Sequence, residues 1–256
     1  MEFNQVAFRR LLFFGFLVLA LSGLSGVAFA QSNEMQDFTK WTQALPVSSE
    51  LIQQMQNYGI PNAASLAHQI HGSIIASDLQ IVTEFENGKC EPVTKVDILG
   101  SESGALEGFV RVETIGCFPK GRAESLLKLY FDPDFRKTAI PQLDQVQLNN
   151  DILCEQSEKV PFVLDPTRTC VRIQKQQFGN IHSAIVSLIS NGQGFSPYFH
   201  REAMVTAVDT ARGPRLHVLA FARQKQKVSG MFKGMAVNKI ISGQKNIIQL
   251  LGQSLQ

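Results

Sequence analysis

FVRVETIGCFPKGRAESLLKLYFDPDFRKTAIPQLDQVQL, residues Phe109–Leu148, is the stretch that most constrains the fold. Val110, Val112 and Ile115 set a strand over Phe109–Ile115. Pro119–Tyr130 reads as a helix whose apolar part is Leu126, Leu127, Leu129 and Tyr130. Asp132-Pro133-Asp134 breaks it, because proline brings no amide donor and disfavours helical geometry in the residue before it. A short second helix, Phe135–Ala139, follows and is stopped by Pro141. Leu143–Ile152 alternates through Leu143, Val146 and Leu148 and predicts a strand.

Upstream, Val93–Leu99 reads as a partner strand, with Gly100–Gly108 as the loop between the two. An antiparallel hairpin with Ile98 opposite Phe109 places Val96 opposite Arg111 and Cys90 opposite Cys117, a geometry suited to a cross-strand bridge. Gln80–Phe85 predicts a further strand, turned by Asn87-Gly88. Before it come two helices. The first begins near Glu50 behind a Ser48 or Ser49 cap, with Leu51, Ile52 and Met55 at helical spacing. The second follows Gly59-Ile60-Pro61, with Asn62 as its cap and Ala63, Leu66, Ala67, Ile70 and Ile74 on its buried face. Gln31–Val47 is expected to be a loose lead-in docked by Trp41.

Downstream, Cys170–Gln176 is strand-like. Asn180–Ser190 fits either a helix face or strand parity, and its β-branched content favours a strand. Glu202–Asp209 and Arg215–Gln224 form a hairpin. Ser229–Leu255 is a long helix with Phe232, Met235, Ala236, Ile240, Ile247, Leu251 and Leu255 along one stripe. At 1.5 Å per residue it reaches about 40 Å, enough to cross a sheet.

The amino terminus reads as an export leader. Arg9 and Arg10 precede the apolar run Leu11–Leu24, and Ala28-Phe29-Ala30 offers a cleavage site. The run is shorter than the ~20 residues a spanning helix needs. The expected organisation is a signal peptide over residues 1–30, the lead-in to 47, and one domain over 48–256 in a periplasmic or secreted protein with no stable transmembrane segment after cleavage. The full chain carries a formal +2, and loss of Glu2, Arg9 and Arg10 lowers it by one. Near-neutrality leaves no electrostatic footprint for nucleic acid.

Cys90, Cys117, Cys154 and Cys170 allow three pairings. The hairpin favours Cys90 with Cys117, which leaves Cys154 with Cys170 across a segment holding Pro161 and Pro166. Closing such a loop is worth about 3 kcal/mol in the chain-entropy model. No CxxC occurs and no cysteine has a nearby histidine, so disulfides are expected rather than a redox or zinc site.

Catalytic signatures are sparse, so no catalytic residue, cofactor or metal site is assigned. His68 and His71 lie three apart on a helix without a third ligand at suitable spacing. His182, His200 and His217 are each isolated, with Glu202 near His200. There is no G-x-S-x-G elbow, and Gly192-Gln-Gly194 lacks the lysine of a phosphate loop. Asp132 and Asp134 suit helix capping better than acid–base work.

The order of helices, strands, two short helices, more strands and one long terminal helix resembles the START-like, or helix-grip, superfamily, which includes polyketide-cyclase-like proteins. The local likeness rests on Phe109-Val-Arg-Val-Glu-Thr-Ile115, on Phe131-Asp-Pro-Asp-Phe-Arg-Lys-Thr-Ala-Ile-Pro141 and on Gln145-Val-Gln-Leu148. It implies an α+β fold: a curved antiparallel sheet wrapped around the C-terminal helix, with N-terminal helices added. It also implies an elongated apolar cavity under that helix for a hydrophobic small molecule or lipid, lined by Met204, Phe221, Phe232, Met235, Ala236 and Ile240. Carrier or sensor is the function that follows. A cyclase- or hydrolase-type enzyme on the same scaffold, and an interaction protein using the terminal helix, are the alternatives.

Overall fold

The computed structural model describes Ser32–Leu255 except residues 101–102, 104–105, 158–167, 190–197 and 225–229; of 198, 199, 224, 230–233, 235 and 236 it describes the backbone alone. The leader and Pro161 and Pro166 lie outside the described residues. Three helices come first: α1 Asn33–Ala44, α2 Ser49–Asn57 and α3 Ala63–Glu86. Then follow β1 Val93–Ile98, β2 Val110–Cys117, α4 Ala123–Tyr130, α5 Pro133–Ala139, β3 Leu143–Asn149, β4 Ile152–Ser157, β5 Arg168–Phe178, β6 Ile181–Leu188, β7 Tyr198–Val208, β8 Arg215–Gln224 and α6 Gly230–Ser254. The strands form one antiparallel sheet in the order β1-β2-β8-β7-β6-β5-β4-β3. This is an α+β arrangement, with β1 at one edge of the antiparallel sheet and β3 at the other.

Local chemistry explains the α4–α5 break. Asp132 caps α5 by accepting from the Phe135 amide at 2.8 Å, and Pro133 occupies the first turn, where its missing N–H costs nothing. Ser48 likewise accepts from the Leu51 amide at the start of α2.

Both faces of the sheet are covered. On one face, Phe38 of α1, Leu51 and Met55 of α2, and Ile70, Ile74, Val82 and Phe85 of α3 pack with Phe109, Val208 and Leu219. On the other, the α6 face, Leu126, Leu127, Tyr130 and Phe131, with Ile247 and Leu251 of α6, pack over Val171, Ile173, Ala184, Val186, Val205, Ala207, Leu216 and Val218.

Four expectations change. The lead-in is instead the helix α1, with Phe38 fully buried. Its polar composition hides a short apolar stripe, Met35 and Phe38, joined by Trp41 against Phe178. The strand expected over Gln80–Phe85 is the last part of α3. Ile70, Ile74, Asp78, Val82 and Phe85 continue one buried helical face, and that packing overrides the β preference of Ile81, Val82 and Thr83. Asn87-Gly88 closes the helix rather than a hairpin: Gly88 takes φ +74° and its amide reaches the Phe85 carbonyl. Leu143–Ile152 is not one strand but spans β3, a turn with Asn150 at φ +56°, and the first residue of β4.

The fourth change is register. β1 and β2 pair with Val96 opposite Val112 and Ile98 opposite Val110, one residue from the expected alignment. Reciprocal bonds between Leu99 and the Gly108–Phe109 turn set it. Cys90 lies before β1 and still meets Cys117, with Cα atoms 6.1 Å apart. Cys154 and Cys170 are directly opposite on β4 and β5, 4.0 Å apart at Cα, and are bonded.

Because Phe38 is a core residue, Phe38→Ala should lower unfolding free energy in urea titration by about 3–5 kcal/mol. A change below about 0.5 kcal/mol, typical of a surface site, would mean that α1 is only loosely docked.

Candidate functional site

The α6 face is the candidate site, and its composition changes along its length. Near α4 it is sealed: Ala207, Leu216 and Val218 are buried beneath Leu126, Ile247 and Leu251. Toward the β1–β2 loop it is not. Ala203 and Ala220 are paired across β7 and β8, Val112 sits beside Ala220, and Ala222 sits beside Val110. All five are only half-buried. The α6 face therefore grades from a packed core to a floor of small apolar side chains.

Contacts at the C-terminal end of α6 fix its course. A Cβ on Gly116 would meet Ile248 at 3.1 Å, one on Gly121 would meet Leu255 at 2.8 Å, and one on Gly252 would lie 3.7 Å from the Phe118 ring. The end of α6 thus runs in the direction of β2. Asn246 donates to the Ala139 carbonyl at 2.7 Å and ties α6 to α5. The helix also packs along β1.

One ionic cluster stands on this face. Arg136 of α5 pairs with Glu155 of β4, and Arg201 of β7 reaches the other Glu155 oxygen at 3.0 Å. Burial alone would raise the Glu155 pKa, yet the two guanidinium charges outweigh it and hold it at about 2. Arg136 also lies over the Tyr130 ring, 5.4 Å from its centroid.

The expected site residues divide. Ile240 is half-buried on α6. Phe232, Met235 and Ala236 belong to α6, but their side chains lie outside the described residues. Met204 and Phe221 do not face α6; both are buried in the core beneath α1–α3. Side chains alternate along a strand, so Ala203 and Ala222 face α6 while Met204 and Phe221 turn away. Strand parity identifies the alanines, whereas the lining implied by the resemblance names their larger neighbours.

The opposite face holds a buried polar seam that no sequence motif signals. Asp78 of α3 receives the Thr206 hydroxyl at 2.7 Å and lies 2.6 Å from His217 Nδ1; Ser183 extends the chain to Thr206 at 2.7 Å. Two turns earlier on α3, His71 lies 2.6 Å from Glu202 and donates toward the Leu45 carbonyl at 3.1 Å. Glu113, bonded to Arg111, stands 3.8 Å from His217 Nε2. Burial would lower the His217 pKa, but the Asp78 bond and the two carboxylate charges prevail and raise it to about 9. His217 is thus an imidazolium locked between α3 and the sheet.

His71, His200 and His217 all lie on the α1–α3 side of the sheet. His200 is fully buried beside Met55, and desolvation drops its pKa to about 3. His182 faces the α4 side, where burial lowers it against the charges of Asp209 and Glu124. His68 bonds its own helix at the Ala64 carbonyl, and His71 is engaged by Glu202. Among the described residues no group of three His, Cys, Asp or Glu side chains could hold a metal ion. The described part of α6 presents polar residues outward: Asn238, Lys239, Ser242, Lys245 and Gln249.

No protein-family model matches the chain, and no curated protein matches it in sequence. Solved structures do. A fragment of a STAR-related lipid transfer protein from Xanthomonas axonopodis superposes with a TM-score of 0.44 at 12% identity, covering 57% of this chain and 85% of that one. A START superfamily protein from Mycobacterium smegmatis gives 0.41 at 15%, covering 57% and 98%. The di-domain ARO/CYC StfQ from the steffimycin biosynthetic pathway gives 0.40 at 12%, covering 57% and 50%. The chain resembles START-like, helix-grip proteins in topology.

The seam predicts a pH signature. The folded pKa of His217 lies above its ordinary 6.5, so its stabilisation is complete below pH 6.5 and is lost as pH rises through about 9. Unfolding free energies from urea titrations between pH 6 and 10 should fall across that window by up to about 3 kcal/mol. The double variant Asp78→Asn/His217→Gln should lose most of the slope, and an unchanged slope would contradict the assignment.

Proposed function

We propose that this protein binds a hydrophobic small molecule or lipid between the α6 face of the sheet and the N-terminal half of α6, as a carrier or sensor. One observation supports this reading above others: the half-buried floor of Val110, Val112, Ala203, Ala220 and Ala222. A sheet face that only needed a core would carry large side chains at these central positions, as Leu216 and Val218 do near α4. Small residues leave depth for a guest, and an apolar guest gains roughly 25 cal/mol for each Å² it removes from water. Phe232, Met235, Ala236 and Ile240 would form the roof. Burial and shape would then do the binding, so neither a cofactor nor a catalytic group is required.

The setting suits such a role outside the cytoplasm. All four cysteines are bonded, which fits an oxidising compartment and the leader at the amino terminus. Among the described residues no helix is long and apolar enough to cross a membrane.

Filling the floor is the direct test. Ala220→Trp, placed at the centre of β8, should cut the affinity for a solvatochromic apolar probe at least about tenfold while far-UV circular dichroism and the urea midpoint stay near wild type. Organic extraction of protein purified from its host, followed by mass spectrometry, should release an apolar compound from wild type and much less from the variant. Equal probe binding by both proteins would rule out this floor as the site.

A further inference from the structure

β3 is a terminal strand of the sheet, and among the described residues no strand pairs with its outer edge. Backbone bonds further in fix which of its peptide groups point outward. Ile189 donates to the Cys170 carbonyl, and Ile173 donates to the Asp151 carbonyl. Cys170 therefore turns to β6 and Ile173 to β4. Peptide groups alternate in direction along a strand, so Thr169 and Val171 also turn to β4, where they meet Glu155 and Leu153. That leaves Ile152, Cys154 and Gln156 to bond β3, through Asn149, Gln147 and Gln145. Val146 and Leu148 then turn their N–H and C=O groups to the open edge.

Unpaired edges invite a further strand, and proteins commonly guard them with charge, proline or a bulge. β1, the other edge, carries exposed Lys95 and Asp97 and has α6 packed along it. β3 is guarded at its start, where Asp144 sits in a bulge. From Gln145 to Asn149 it carries neither a charge nor a proline. Gln145, Gln147 and Asn149 are exposed, while Val146 and Leu148 are half-buried against the core of the α6 face.

We propose that β3 pairs antiparallel with β3 of a second copy of this chain, about a two-fold axis through Gln147. An edge of this kind is its own complement, as a two-fold interface requires. With Gln147 facing Gln147 of the second copy, Val146 faces Leu148 and the two exchange both N–H to C=O bonds. The reverse pair does the same, so every outward group of the run finds a partner. The side chains match as well. Val146 meets Leu148 on the α6 side; on the other side Gln145 faces Asn149 and the two Gln147 amides face each other. Asp144 falls opposite Asn150, so no like charges meet. A foreign strand is selected by charges or pockets along an edge. This run bears no charge to select one, whereas self-pairing needs none. A five-residue seam is small beside the roughly 1,600 Å² of a standard interface, so the dimer is a weak one.

Sedimentation equilibrium of the purified protein tests this between about 1 and 300 μM, the range of a weak interface. The wild type should pass from monomer to dimer across that range. Gln147→Lys and Gln147→Glu change an exposed side chain and set like charges face to face, so each alone should weaken dimerisation about threefold or more. An equimolar mixture of the two should dimerise at least as tightly as wild type, because opposite charges then meet. Val146→Pro deletes an N–H that points outward, a position where an edge strand tolerates proline, and should abolish the dimer. Should that variant fail to fold, the two charged variants decide alone. A protein that stays monomeric to the top of the range would overturn the proposal, and so would a dimer that both charged variants keep at wild-type strength. A mixture no tighter than either variant by itself would overturn the pairing through Gln147.

Discussion

β6 is buried on both of its faces, and the rest of the structure answers that constraint. A central strand without a polar face must be covered twice, so the sheet needs two helical layers. The chain supplies α1–α3 before the sheet and α4–α6 within and after it. The two layers are built differently. The first is fastened by charge, through Asp78, His217, His71 and Glu202. The second is fastened by apolar contact at the end of α6 and by the Arg136–Glu155–Arg201 cluster near α5.

That division has an energetic logic. Asp78 is wholly buried, and a lone carboxylate there would be very unfavourable. It is met by Thr206 and by a histidine that stays protonated, with Ser183 completing the chain. Such a seam specifies one position of α3 on β7 and β8, because sliding the helix by a turn would strand each charge. The α6 face has fewer directional ties along β2, β7 and β8. Its small side chains at Ala203, Ala220 and Ala222 are only half-buried.

Much of the architecture is legible in the sequence, because it is carried by local signals. The Asp-Pro break between α4 and α5, the Ser48 cap and the closing hairpin each depend on residues close along the chain. The departures come from tertiary context. The end of α3 carries β-branched residues, and the buried face it continues is visible only when Asp78 counts as a core residue. Asp78 interrupts the apolar stripe in the sequence, and its partner His217 lies 139 residues away. The resemblance implies Met204 and Phe221 on the α6 side, whereas parity along β7 and β8 sends them to the other layer.

The chain passes from one layer to the other at the edge of the sheet. α3 ends at Glu86, the connection rounds β1, and within it Cys90 is bonded to Cys117 at the end of β2. Next to Cys117, Phe118 lies against Gly252, while Gly121 lies against Leu255. The carboxyl end of α6 is thus clamped where a covalent cross-link already binds edge strand to neighbour. A 25-residue helix held in this way is a lever of about 37 Å with its fulcrum at the cross-link. Leverage then concentrates at the Gly230 end, the part of α6 farthest from the cross-link, where the smallest rotation at the clamp becomes the largest displacement.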